Sequence, residues 1–571
     1  MKIRIADFKG EIPRRADRLL GGNVAMVSSN ARLDDGNVTP FRESALIETL
    51  QSAASTIYLH NDTWLSFAAQ ADIATGPVAQ DRLYYTTLTG APRVIANDAD
   101  YPLALAAPAN APTAAMVGTL DTELAESFVY AYTFVTEFDE ESAPSPASDA
   151  ILWSPGNTVS LSDMDAAPTG RGIDRRRIYR SQTSASGITD LYFVAEIPVA
   201  NTTYTHDLEA NPLQEVLPSA DFDPPVDTLD GLTAMSNGMM AGFSGREVFF
   251  CEPYIPHAWP QKYSLTVDHD IVALSAFGST LAVLTTATPY IIQGTAPENM
   301  IMQRMEANLP CVSRRGVVDL GYAAAYPSAD GLIVISASGT QLASRNLFTR
   351  DDWRELSPST MFAASYDGRY AFGYSDGAID SLNGGEAVLD PANPDSYNGG
   401  GPSSSLLGFV NYDGGSPLTK AAINAIGFID LTGEQPYFLR TDPEFAGSPD
   451  AFFLNPADGN LYFLSNTTEV RQFDNRSRPT TTYRWRSKAF YTPSPVSFAA
   501  IMVEADTTPA QTVLTTRIFA DGKLVHQTDK FNTPQRLPSG FRSKEWQIEI
   551  EGSAEVTSIS IGQTLEELAV A

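Results

Sequence analysis

Five histidines, two cysteines and a scatter of acidic turns are the residues from which this chain would have to assemble chemistry. None of His60, His206, His257, His269 and His526 lies at a metal-binding spacing from another. Only Val267-Asp268-His269-Asp270 sets acids on both sides of an imidazole. Neighbours along a strand point to opposite faces, so this cluster reads as a turn or blade edge rather than a ligand set. Gly242-Phe243-Ser244-Gly245 approaches a nucleophile elbow, but that motif requires glycine two places after the serine, and Arg246 stands there. Asp330-Gly331, Asp367-Gly368, Asp376-Gly377 and Asp458-Gly459 are expected hairpin turns, and none continues into the S-x-D-x-G-x-T-W box of sialidases. Neither a phosphate-cradling loop nor a dinucleotide fingerprint is present. Cys251 and Cys311 fall outside any C-x-x-C spacing and are expected to be free, buried thiols. Arg175-Arg176-Arg177 is the densest basic run of its region; on a strand Arg175 and Arg177 share a face, expected to be a solvated edge rather than a nucleic-acid patch. No catalytic, cofactor-binding or metal-ligating residue is assigned, no cofactor is expected, and an enzyme is not the expectation.

The elements that would carry these residues are strands. Runs of four to eight residues rich in Val, Ile, Tyr, Phe and Thr alternate with Gly, Pro, Asn and Asp, so the fold class is mostly β. Helical periodicity is expected only around Val24 to Leu33 and Glu43 to Ala53. Residues 1–117 read as an entry segment followed by a first meander from about 50 to 98, built of Ser55–Leu59, Trp64–Phe67, Arg82–Thr87 and Arg93–Ile95; the Ala- and Pro-rich stretch from 99 to 117 reads as a linker. Residues 118–225 carry strands at the spacing of an immunoglobulin- or fibronectin-like β-sandwich, opened by Phe128–Thr136, broken at Ser142–Pro146 and closed by Pro224-Pro225. Residues 226–478 repeat a strand–turn–strand unit every 30 to 50 residues, which is the habit of a β-propeller; with the first meander this makes five to seven blades. Pro394 to Ser405 reads as an exposed loop between units. Residues 479–571 form a C-terminal β domain with a hairpin at Asp521-Gly522. Trp259, Trp353 and Trp485 are expected in cores.

Composition narrows the functional classes. Against 38 Lys and Arg stand 68 Asp and Glu, a net charge of −30. Grip on nucleic acid comes from neutralising phosphates, so such a chain is not expected to hold DNA, although DNA can still slide past it. No apolar run reaches the length of a membrane helix, and the opening Met1-Lys2-Ile3-Arg4-Ile5 has no apolar core of a secretion signal.

Several segments, taken in order, resemble a known family. Phe8-Lys9-Gly10 through Pro13-Arg14, Leu19-Leu20, Ala25, Asn30, Leu33, Gly36 and Pro40 is similar to the start of the tail nozzle proteins of short-tailed phages, also called tail tubular protein B. Tyr130–Val135 with Glu140–Pro146, then Ile178–Ser181, Asp352–Pro358, Tyr366–Tyr370, and Tyr483–Lys488 with Trp546 and Gly552 continue the likeness to the end. The resemblance implies a virion tail protein: a homohexameric channel for DNA ejection, made in the bacterial host cytoplasm and hung beneath an adaptor (head-to-tail connector) ring. It also implies loops that gate the narrow end, tail fibres or spikes docked outside, DNA that passes without specific binding, and no stable membrane insertion. The alternative reading is a propeller-type glycan-degrading or receptor-binding tail protein.

Overall fold

The structure is a computed structural model that describes residues 1–78, 81–183, 189–210, 214–374, 425–431, 436–442, 448–506 and 512–569. The chain is mostly β and divides into two compact units: residues 1–53, 329–332 and 342–571 in one, residues 54–328 and 333–341 in the other. Its core is propeller-like, with an inserted β-sandwich and a C-terminal β domain. Among the described residues five four-stranded antiparallel sheets run up and down in near-consecutive order, with strands at 71–102, 230–266, 271–304, 318–342 and 449–472. The four strands between 363 and 440 form one end of an eleven-stranded sheet that continues through Lys9–Glu11 and Val24–Ser29 into the C-terminal strands. The sheet at 449–472 takes its fourth strand from far upstream: Ala45–Thr49 pairs antiparallel with Glu469–Gln472. No membrane-length apolar helix occurs among the described residues.

Local chemistry explains the sharp turns. At Asp367-Gly368 and Asp521-Gly522 both residues have positive φ (52° and 72°, 47° and 74°), the two-residue geometry whose twist suits the flanking strands. Asp376-Gly377 and the stretch from Pro394 to Ser405 lie outside the described residues.

The helices expected near the N-terminus are strands. Val24–Ser29 pairs with Tyr483–Ser487 on one side and runs parallel to Lys9–Glu11 on the other. Both its ends are buried, and the partner strands supply the backbone bonds that propensity alone assigned to a helix. Ala45–Thr49 is the closing strand just described. Consequently the first residues are not a mere entry segment: Lys2–Ile5 pairs with Val556–Gly562, so N-terminal strands complete both sheets of the C-terminal domain. One core joins them, with Phe8 packed edge-on against Trp485 and Phe498 against Trp546.

Two further boundaries differ from expectation. Ser55–Phe67 is a separate hairpin, Thr56–His60 with Thr63–Phe67, and the neighbouring blade begins instead at Ala71–Thr75. The stretch from 99 to 117 is not a linker throughout: Ala99–Pro102 is the fourth strand of that blade, and Thr113–Val117 pairs with Thr158–Ser162 in the sandwich. Alanine and proline mislead here because the partner strands supply the backbone bonds whatever the side chains prefer, and Pro102 ends its strand.

The sandwich core follows period-two alternation. Tyr130, Tyr132 and Phe134 all point inward from Tyr130–Thr136, joined by Val159, Leu161, Ile178 and Val194. One edge of Tyr130–Thr136 pairs with Ile173–Thr183. Its other edge is sealed by the Ser142–Ser148 segment, which tracks the strand rather than simply breaking away from it. Ser142, Ser145 and Ser148 donate backbone N–H groups to the carbonyls of Phe134, Tyr132 and Tyr130 (2.9, 2.8 and 2.8 Å). Their Oγ atoms accept the N–H groups of the same three residues (3.0, 3.1 and 3.0 Å). Three residues of the loop thus cover two of the strand, and the serine hydroxyls make up the difference. An edge that would otherwise template aggregation is closed.

Candidate functional site: buried ionic nodes

The most elaborate side-chain chemistry among the described residues lies in charge clusters, two largely buried ones in the second unit and a partly exposed one in the first. A short 3-10 turn, Arg314–Gly316, carries the first. Arg314 clasps Asp230 with both Nη atoms (2.5 and 2.6 Å) and also donates to Asp72. Its guanidinium stacks over Phe243, 5.5 Å from the ring centroid. Asp72 and Asp230 come from the first strands of successive blades, so one cation holds two strands that would otherwise oppose like charges. Burial raises the Asp72 carboxyl, and the nearby Asp230 charge adds to that. Asp230 is also desolvated, but the bidentate Arg314 contact outweighs this and leaves it below the ordinary carboxylate range. The adjacent Arg315 donates to the carbonyl of Ser55 at 3.2 Å.

A second node lies between sandwich and blades inside the same unit. Glu140 accepts from Arg171 (2.7 Å) and Arg82 (3.3 Å), and His257 Nδ1 stands 4.0 Å away. The His257 Nε2 faces the Glu141 carbonyl at 3.0 Å; a carbonyl only accepts, so Nε2 carries the proton. Burial lowers the His257 pKa despite Glu140, which keeps the ring neutral. The Glu141 carboxylate gathers Thr133 (2.7 Å), Tyr179 (2.6 Å) and Arg177 (2.9 Å). Burial, then the Glu141 charge, pushes the Tyr179 phenol well above its usual range.

The third node, in the first unit, is built on Arg32 and Arg369. Arg32 pairs with Asp34 (2.8 Å), Asp474 (2.8 Å) and Asp367 (3.2 Å), while Arg369 pairs with Asp34 (2.5 Å) and Asp430 (3.4 Å). It ties the N-terminal strands to a blade hairpin and to the stretch leading into the C-terminal domain.

Each described residue singled out in the sequence has a definite place. Arg175 and Arg177 share a face as expected, but it is an ion-pair face rather than a bare solvated edge: Arg175 meets Asp139, Asp174 and Glu196, and Arg177 meets Glu141 and Glu196. Arg176 points the other way and is fully buried, stacked 5.7 Å over Phe134 with its Nη atoms donating to the carbonyls of Asn201 and Asp165. Asp268-His269-Asp270 forms a bend; Asp268 accepts from Tyr290 (2.8 Å) and pairs with Arg304 (3.2 Å), and Asp270 pairs with Arg246 (2.7 Å). Ser244 ends a strand, bonded to Thr228 at 2.7 Å, and Gly245 turns into the hairpin partner. His206 is buried against Tyr130 (2.9 Å), His60 faces the Asp81 carbonyl (3.1 Å), and His526 sits on the strand Lys523–Thr528. Cys251 and Cys311 are free and buried, and burial pushes both thiols up to about 12. Trp259, Trp353 and Trp485 are all core residues. A polar cleft of about 610 Å³ is lined by Asn30, Glu43, Asp442, Glu469, Arg471 and Arg478 among others. Its glutamates are already engaged, Glu43 by Arg478 at 2.9 Å and Glu469 by Arg471 at 3.0 Å. No group of three or more metal-ligating side chains converges among the described residues.

Sequence reading missed the Arg314 and Glu140 nodes. Nothing local marks Asp72, Asp230 or Arg314; only a lone charge inside an otherwise apolar strand pattern hints at a buried partner.

No protein-family model and no curated protein matches the chain. Among solved structures it is similar to a catalytically inactive virginiamycin B lyase from Staphylococcus aureus with quinupristin, at 9% identity over 76% of this chain and 98% of that one, with a TM-score of 0.27. It is also similar to the WD40 domain of Neurospora crassa Pan2 (8% identity, 58% and 87% covered, TM-score 0.25). Kluyvelomyces marxianus Hsv2 is a third, at 7% identity with 67% and 95% covered and a TM-score of 0.24.

Proposed function

We propose that this chain is a wall subunit of a short-tailed phage tail nozzle: a homohexameric channel through which genomic DNA is ejected. It docks beneath an adaptor ring and carries fibres or spikes outside. The observation that supports this most is the interweaving of the chain's two ends. Strands from residues 2–49 complete the C-terminal sheets and the last blade, in the segment order of the nozzle family, and join parts of the sequence more than four hundred residues apart through shared backbone ladders. A wall that withstands pressurised DNA needs such closure more than it needs a pocket. The buried nodes serve the same end, since they spend charge on holding strands rather than on an open site.

The negative charge fits a lumen that must not retain its cargo. Each phosphate neutralised by Lys or Arg adds salt-dependent grip, and a ring of acidic copies offers the polyanion little to rest on. Filter retention of labelled duplex DNA tests this, run beside a reducing-sugar assay on bacterial surface glycan. The expected result is no retention at moderate salt and no sugar released. Tight, salt-sensitive retention contradicts the channel, and sugar release favours a glycan-degrading tail protein.

A further inference from the structure

Charge is distributed very unevenly along this acidic chain. Between Arg93 and Arg171 there is no Lys or Arg at all, against twelve Asp and Glu. The first twenty residues reverse the balance, with six basic and three acidic side chains. Both regions place large apolar side chains in solvent.

On the sandwich, Val117, Leu124 and Leu152 are each more than half exposed. They sit around the short ladder of Glu126–Phe128 with Ile151–Trp153, against which the strand Thr113–Val117 packs. Asp121, Glu123 and Glu126 are exposed among them. The basic counterpart is the segment from Arg14 to Leu19, every residue of which is exposed. Leu19 is 65% exposed, and Tyr491, at 58%, lies within electrostatic reach of Asp17 and Arg18. Lys488 fixes the segment from below by donating to the Leu20 carbonyl at 2.7 Å. Beneath the segment opens a pocket of about 190 Å³ floored by Ile12, Leu20 and Met26, with Arg15 and Asp17 at its rim. A pocket of that size accepts one aliphatic side chain.

We propose that these two surfaces meet between copies: the Arg14–Leu19 segment and Tyr491 of one molecule dock head-to-tail on the acidic, leucine-bearing end of the sandwich of a second copy. This deepens the hexamer reading and rests on it. The occupant is a second copy because the two patches match in both properties. Basic faces acidic, and each brings exposed aliphatic groups whose burial supplies the affinity that screened charge pairs do not. Two different patches make a heterologous contact, which repeats into a ring when the rotation closes. Leu124 is the apolar anchor and the pocket under Arg15 its receptor, Leu152 packs on the exposed Leu19 and Tyr491 beside it, and the charges set register and encounter rate.

The test is a charge swap on the full-length chain, followed by sedimentation at low ionic strength over a wide concentration range, with particle images of the same samples. Arg15→Glu with Arg18→Glu, and separately Glu123→Lys with Glu126→Lys, are each expected to weaken self-association about tenfold or more. An equimolar mixture of the two variants, or all four changes in one chain, is expected to restore it. Unchanged thermal transitions show that the variants fold, and Leu124→Ser, which alters no charge, is expected to weaken association as well. If rings form and neither reversal weakens them, the inference is overturned while the hexamer reading stands. If the wild-type chain does not self-associate at any concentration, both are overturned.

Discussion

Arg176 and Arg314 are both guanidinium groups enclosed within β structure, one inside the sandwich and one among the blades, and their surroundings differ in kind. Arg176 meets two backbone carbonyls and the face of Phe134, with no carboxylate bonded to it among the described residues, and burial lowers its pKa from the ordinary arginine value. Arg314 is clasped by Asp230 and Asp72, and these charges outweigh burial to hold its proton more tightly than usual. A single domain can keep an isolated cation inside by turning fixed peptide dipoles toward it. Strands from separate blades have no shared backbone ladder, so there the chain uses ion pairs as cross-ties. The sandwich encloses Arg176 with backbone carbonyls, whereas Asp72 and Asp230 of successive blades enclose Arg314 with carboxylates.

That contrast sets an order of expected effects. Arg314→Met leaves two carboxylates facing one another in a partly buried space, and the expected loss is about 3–5 kcal/mol of unfolding free energy. Denaturant titration measures it, and Asp72→Asn in the same chain is expected to recover part of the loss by removing one uncompensated charge. Arg176→Met strands only carbonyl acceptors and keeps the packing on Phe134, so about 1–3 kcal/mol is expected from the same titration. A loss as large as that of Arg314→Met contradicts the distinction between the two sites.

The Glu140 node, where sandwich and blade loop meet within one unit, combines both devices and adds a titration. Folded His257 has a pKa below the 6.5 of an unfolded imidazole. Below pH 6.5 the unfolded chain therefore binds a proton that the folded chain refuses, so stability falls with acid by up to about 1.4 kcal/mol per pH unit until the folded pKa is reached. His257→Gln keeps a donor toward the Glu141 carbonyl and removes the titration. Melting curves at pH 7.5 and 5.5 are expected to show a smaller acid loss in the variant, and an equal loss assigns the acid sensitivity elsewhere. The smallest effect belongs to the sandwich edge. Ser145→Ala deprives the buried Tyr132 N–H of its acceptor and is expected to cost about 1 kcal/mol, read as a small drop in Tm.

Much of the architecture is visible in local sequence. Alternation announces Tyr130, Tyr132 and Phe134, and the Asp–Gly pairs at 367 and 521 mark tight hairpins, because both signals act within a few residues. What local sequence hides is pairing at a distance. Arg314 lies 242 residues from Asp72, Arg32 lies 442 from Asp474, and neither choice of partner leaves a trace at short range. The same blindness turned Val24–Ser29 and Ala45–Thr49 into expected helices: their strand partners, Tyr483–Ser487 and Glu469–Gln472, stand more than four hundred residues away. Propensity is outvoted there by backbone bonds that only the folded chain supplies.

The central claim is that copies of this chain form the wall of a tube. Electron microscopy of the purified protein at high concentration and low salt, with class averages viewed end-on, tests it most directly. The account predicts closed rings of six copies of the 61.6 kDa chain around an open centre. Threefold particles, or open filaments of head-to-tail copies that never close, would contradict it.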